Sequence, residues 1–142
     1  MKRLRILVVE DDGIVAYLLG LVLEDMGHEV CAIESNEAGA VEAARCCKPD
    51  LMIVDENLGR ESGLAVIDAL LQDGAMPHIF VSGDTARILT LRPLAVVLEK
   101  PYFETDLEQA IQLALTPPSA AADLDPLPVD GRRRDAPAGG PA

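Results

Sequence analysis

The sequence predicts an α/β fold: a doubly wound parallel sheet with helices on both faces. Three observations carry this. Short aliphatic and β-branched runs without polar alternation recur five times, the pattern of strands buried on both faces. Apolar residues at helical spacing lie between and after these runs, so the order is β-α repeated five times. The first, third, fourth and fifth runs lead into acids, a hydroxyl and a lysine, at the strand ends where open α/β sheets place their sites.

The elements follow in order. Residues 4–9 form the first strand and give way to Glu10, Asp11 and Asp12. A helix follows, with Val15, Leu18, Leu19, Val22 and Met26 on one face read as core. Asp12 reads equally as its cap or as part of the acidic cluster, and Gly27 ends it. Residues 28–33 form the second strand. Ser35 or Asn36 then opens an Ala-rich helix that reaches about Cys47 and is broken by Pro49-Asp50. Residues 51–54 are the third strand, ending at Asp55-Glu56, and a polar loop with Gly59 and Gly63 follows. Leu64, Ile67, Leu70 and Leu71 mark the third helix, stopped at Gly74. Residues 78–81 are the fourth strand and lead into Ser82-Gly83-Asp84. A short fourth helix fits residues 86–91, Pro93 interrupts, and residues 95–98 form the fifth strand before Glu99-Lys100-Pro101. The last helix runs from about Thr105 to Leu115, with Leu107, Ile111 and Leu115 on one stripe.

Composition narrows the function. The chain has 142 residues, the size of one domain, and 49% of them are hydrophobic, enough for a core. Aromatics are only 3% and Trp is absent, so the core is aliphatic. The formal charge of -12 argues against a module that works by neutralising nucleic-acid phosphates. No apolar run is long enough to span a bilayer, and the basic start has too short an apolar stretch for a signal peptide. Cys31, Cys46 and Cys47 are odd in number and lack C-x-x-C spacing, which speaks against a disulfide framework or zinc site. A reduced, cytoplasmic protein is the expectation. Six of the ten prolines fall in residues 116–142, which lack apolar periodicity and are expected to be a disordered tail beside a folded domain of residues 1–115.

The strand ends carry the chemistry. If the first, third, fourth and fifth strands are neighbours, Glu10, Asp11, Asp55, Ser82 and Lys100 converge on one patch. Carboxylates held together repel and need compensation. A hard, oxygen-seeking cation such as Mg²⁺ supplies it, and a hydroxyl and an ammonium beside it suit the oxygens of a phosphoryl group. No Gly-rich phosphate loop is present, so such a group would be held covalently or transiently.

On these residues the sequence resembles the receiver domain of a two-component response regulator. The segments that carry the resemblance are ILVVEDD (6–12), PDLMIVDENLGRESG (49–63), PHIFVSGD (77–84) and LEKPY (98–102), and it covers essentially all of residues 1–115. The resemblance implies a flavodoxin-like sheet in the order 2-1-3-4-5, with the fourth helix shortened. It implies that Asp55 is the phosphoacceptor, attacking phosphorus to give an acyl phosphate. Asp11 would bind Mg²⁺ directly, Glu10 through water, Asp55 by its carboxylate and Asn57 by its backbone carbonyl. Ser82 and Lys100 would hold phosphoryl oxygens, and Pro101 would follow a cis bond. The implied partners are a sensor histidine kinase or phosphotransfer protein and a downstream protein the sequence does not name. Neither DNA nor membrane insertion would play a part, and the chain would be a monomer or weak homodimer with no separate catalytic domain.

Two departures stand out. Val97 occupies the position, three before the lysine, where the family often has an aromatic ring that turns inward on activation. The short interval from Ser82 to Lys100, with FVSGD, is similar to single-domain receivers that work with HWE-type sensor kinases. A non-switching pseudo-receiver is the alternative that Val97 and the clipped helix support. A Mg²⁺-dependent small-molecule phosphohydrolase is disfavoured, because Asp55-Glu56-Asn57 replaces the Asp-x-Asp that such enzymes present.

Overall fold

The computed structural model describes residues 2–116, so the expected tail, apart from Thr116, lies outside the described residues. The chain runs β1 (Arg5–Val9), α1 (Gly13–Asp25), β2 (Glu29–Glu34), α2 (Glu37–Cys47), β3 (Leu51–Asp55), β4 (Asn57–Leu58), β5 (Glu61–Ser62), α3 (Gly63–Leu71), β6 (His78–Ser82), α4 (Thr85–Leu91), β7 (Val97–Glu99) and α5 (Glu104–Leu115). The main sheet has the order β2-β1-β3-β6-β7, and all its pairings are parallel. Leaving aside the small antiparallel β4-β5 pair, this is the order implied by the resemblance.

The strands are continuous apolar runs because both faces are covered. Ile6, Val8, Leu51, Ile53, Ile79 and Val81 pack against Leu19 and Leu23 of α1 and Leu107 and Ile111 of α5. Leu7, Val9, Met52, Val54 and Phe80 pack on the other face against Ala40 and Ala43 of α2, Ile67 and Leu70 of α3 and Ile88 of α4. Alternate residues of one strand therefore enter different cores, as the period of two requires.

Helix starts follow their capping residues. Asp12 Oδ1 accepts from the N–H groups of Ile14 and Val15, so Asp12 is the α1 cap. Asn36, Ser62 and Asp84 do the same for α2, α3 and α4. At the α1 end Gly27 takes φ 96°, a backbone region glycine enters without steric cost. His28 is buried just before β2, and its Nδ1 accepts from Leu4 N–H, which fixes the ring as neutral with its proton on Nε2.

The structure corrects the sequence reading in three places. The buried stripe of α1 is Ala16, Leu19 and Leu23, while Val15 and Leu18 are 40% and 54% exposed. The rest of the expected face holds, since Leu19 is buried and Val22 and Met26 pack against the same core. Val15 and Leu18 fall outside it because α1 is apolar nearly all round, with Ile14, Tyr17 and Leu21 also exposed, so hydrophobicity alone does not choose a stripe. The last strand is Val97–Glu99 rather than 95–98, because Ala95 N–H closes a turn on the Arg92 carbonyl. The loop after Asp55 contains the β4-β5 pair that the polar sequence gave no sign of.

Candidate functional site

Among the described residues, only four polar or charged side chains are buried: Glu10, His28, Asp55 and Ser82. Three of these lie together at the carboxyl ends of β1, β3 and β6. Burying a carboxylate is costly unless it is paired, so two in one place mark the spot where the fold spends stability on function.

Asp55 is the last residue of β3 and is 4% exposed. It sits between Val9's neighbour Glu10 on one side and β6 on the other because β3 is the central strand. Its Oδ1 accepts from Asn57 N–H at 2.8 Å, and its Oδ2 accepts from Lys100 Nζ at 2.5 Å. Lys100 follows β7, and its N–H is tied to the Ser82 carbonyl at 2.8 Å, which aims the side chain back across the sheet edge. The Lys100-Pro101 bond is cis. Burial opposes the Lys100 charge, but Asp55 and Glu10 outweigh it and its pKa is raised.

Glu10 follows β1 and is held by its N–H on the Glu34 carbonyl at 2.9 Å, with its Oε2 accepting from Asp12 N–H at 3.1 Å. Burial, then a hydrogen bond with Asp55, pushes its carboxyl up to about 7. Holding a second acid beside Asp55 in a buried place disfavours the charged form of Glu10. A cleft of about 30 Å³ opens among Glu10, Asp55, Lys100, Val15 and Tyr102, room for roughly one water. Burial also raises the Tyr102 hydroxyl pKa.

Asp11 is exposed, and its Oδ2 lies near Gly59, where an added Cβ would stand 3.4 Å away. Among the described residues no three His, Cys, Asp or Glu side chains form a ready metal cage. The donor set nevertheless fits a hard divalent cation: the buried carboxylates of Glu10 and Asp55 lie at neighbouring strand ends, and the exposed carboxylate of Asp11 follows Glu10 in the chain. Such a cation keeps several waters and needs few protein ligands, so it requires no closed cage.

Ser82 is the last residue of β6 and is 2% exposed. Its hydroxyl does not point its proton at Asp55. It donates to Glu56 Oε1 at 2.8 Å and accepts from Asp84 N–H at 2.8 Å. Glu56 in turn pairs with Arg87 of α4. In the sequence Glu56 is only the acid that follows Asp55 after the third strand, and nothing there singles out Arg87, whose link to Glu56 depends on the fold bringing α4 over the β3 end.

The backbone is close-packed beside the site. Gly63 opens α3 directly over Asp55, and a Cβ there would stand 2.3 Å from the Asp55 carbonyl oxygen. Gly63 N–H donates to the Glu56 carbonyl at 2.8 Å.

A parallel sheet in this order with acids buried at its carboxyl edge defines a receiver module. The family model for the response regulator receiver domain matches residues 6–112, and the chain belongs to that family, the signalling domains of two-component systems. It is similar to the transcriptional regulatory protein PdtaR of Mycobacterium tuberculosis, 28% identical over 116 residues that make up 79% of this chain and 57% of that protein. It is similar also to the KDP operon transcriptional regulatory protein KdpE of Escherichia coli, 34% identical over 126 residues, 86% of this chain and 56% of that one. The chain thus spans little more than half the length of these relatives. The solution NMR structure of the Erythrobacter litoralis PhyR response regulator REC domain superposes with a TM-score of 0.72 at 27% identity, over 81% of this chain and 92% of that one. No helix among the described residues is long and apolar enough to cross a membrane.

Proposed function

We propose that this domain accepts a phosphoryl group on Asp55 from a histidine-phosphorylated partner and acts by contact with a further protein. The observation that carries this reading is the 2.5 Å contact of Lys100 Nζ with the buried Asp55 carboxylate. The Lys100 ammonium, held against that carboxylate beside the small cleft lined by Glu10, Val15 and Tyr102, is placed to take an oxygen of an incoming phosphoryl group.

In the proposed step an Asp55 oxygen attacks phosphorus, the O–P bond forms, and the P–N bond to the partner's imidazole breaks with its electrons returning to the ring. Asn57 N–H stays on the carboxylate, and Lys100 passes from carboxylate to phosphoryl oxygen. Ser82 donates to another phosphoryl oxygen. Glu10, Asp11, Asp55 and the Asn57 carbonyl would hold Mg²⁺, which when bound neutralises charge on the phosphoryl oxygens. The rate gain rests on placement and charge rather than on a strong base.

The exposed apolar face of α1 supports a protein as phosphodonor. Ile14, Tyr17 and Leu18 are 73%, 62% and 54% exposed at the helix that starts beside Glu10 and Asp11. A partner seated there would bring its histidine to the cleft, and burial of these side chains would anchor it.

Beryllofluoride with Mg²⁺, which mimics a phosphoryl group, tests the reading by amide NMR. Shifts at Glu10, Asn57, Ser82 and Lys100 that vanish in Asp55→Asn are expected. An unchanged spectrum would overturn the site assignment.

A further inference from the structure

We infer that Glu56 is a positioning residue for Ser82, and that Arg87 of α4 sets how firmly Glu56 holds it. The inference rests on the phosphoacceptor reading of Asp55 and deepens it. A serine hydroxyl has one proton to donate. That proton lies on Glu56 Oε1, at 2.8 Å, and the oxygen is fixed from behind by Asp84 N–H, also at 2.8 Å. The Glu56 backbone is anchored, its N–H on the Val81 carbonyl at 2.9 Å and its carbonyl on Gly63 N–H at 2.8 Å, and its carboxylate is held between Ser82 and Arg87. A phosphoryl oxygen on Asp55 must therefore take the Ser82 proton from a carboxylate that is mostly covered and held in place.

Arg87 decides the contest. A carboxylate paired with a guanidinium is a weaker acceptor toward a second donor than a bare one, so Arg87 loosens the grip of Glu56 on Ser82. When Ser82 turns to the phosphoryl group, Glu56 keeps Arg87 as its remaining charged partner, and the change at the cleft is passed to α4. Val97, half-buried on β7, offers no ring to carry that message. The Ser82–Glu56–Arg87 chain supplies a route that needs none.

The test is the rate of phosphorylation of the whole chain by acetyl phosphate with Mg²⁺, read by intact mass. Glu56→Gln, a weaker acceptor, is expected to speed the reaction about fivefold. Arg87→Ala is expected to slow it by a similar factor, and Arg87→Lys to restore most of the rate. Removing or adding a charge near an anionic donor changes the rate by itself, so both substitutions are repeated with Ser82→Ala. The inference expects the two effects to disappear there. Effects of equal size with and without the hydroxyl, or none in either background, would overturn it while leaving the Asp55 reading intact. Wild-type chain that takes no phosphoryl group, or takes it equally in Asp55→Asn, would overturn both. Arg87 is half-exposed, so its variants are expected to fold.

Discussion

Lys100 Nζ and Asp55 Oδ2 stand 2.5 Å apart although 45 positions separate them in the chain. The contact exists because β3 and β7 flank β6 in one parallel sheet, so the residues at their carboxyl ends face each other across Ser82. The pair also balances charge: one ammonium serves two buried acids, Asp55 and Glu10.

Removing that ammonium leaves Asp55 buried without its cation. Lys100→Met is expected to cost about 1–3 kcal/mol at neutral pH. Urea unfolding measures it. The double variant Lys100→Met/Asp55→Asn should recover most of the loss, since the charge that needed a partner is gone.

Glu10 gives the fold a pH dependence of known sign. Its carboxyl rises from 4.5 to about 7 through burial and the hydrogen bond with Asp55. The folded state therefore binds more proton than the unfolded chain between those values. The contribution is complete below the lower value and lost as pH rises through the upper one. Above neutrality Glu10→Gln should be more stable than the wild type by roughly 1–2 kcal/mol after solvent screening. Mg²⁺ should raise the wild-type melting temperature at about pH 8 and far less at about pH 5, where the acid is protonated.

Helix α1 separates core from surface. Leu23→Ala removes a fully buried side chain and should cost about 2–5 kcal/mol. Leu18→Ala, on the exposed face, should change stability by no more than about 0.5 kcal/mol. Equal costs, measured by chemical denaturation, would place Leu18 in the core as the sequence pattern suggested.

Gly63→Ala tests the backbone beneath the site. The new methyl would meet the Asp55 carbonyl oxygen at 2.3 Å and the Glu56 Cα at 3.0 Å, and backbone cannot swing aside as a side-chain tip does. A loss of about 1–3 kcal/mol or more is expected, with shifted amide signals at Asp55 and Asn57.

Much of this was legible in the sequence for a physical reason. Strands buried on both faces must be continuously apolar, so the polar residues that stop them, Glu10, Asp55, Ser82 and Lys100, stand out against them. The caps Asp12 and Asn36 were legible too, as local signals. What escaped was orientation and contact. Helix α1 offers apolar residues on nearly every side, and only its packing against β1 and β2 separates buried Ala16 and Leu23 from exposed Val15 and Leu18. The Ser82–Glu56 bond joins residues 26 apart through strand adjacency, and Arg87 reaches it from another helix. No local pattern encodes such a contact. The same holds for Asp11, whose place beside Gly59 follows from how the loop after β3 folds back.

The central claim is that Asp55 takes a phosphoryl group. Intact mass spectrometry after incubation with acetyl phosphate and Mg²⁺ tests it most directly. A gain of one phosphoryl group is expected, absent in Asp55→Asn and released by hydroxylamine as an acyl phosphate is. The same gain in Asp55→Asn, or none in the wild type, would contradict it.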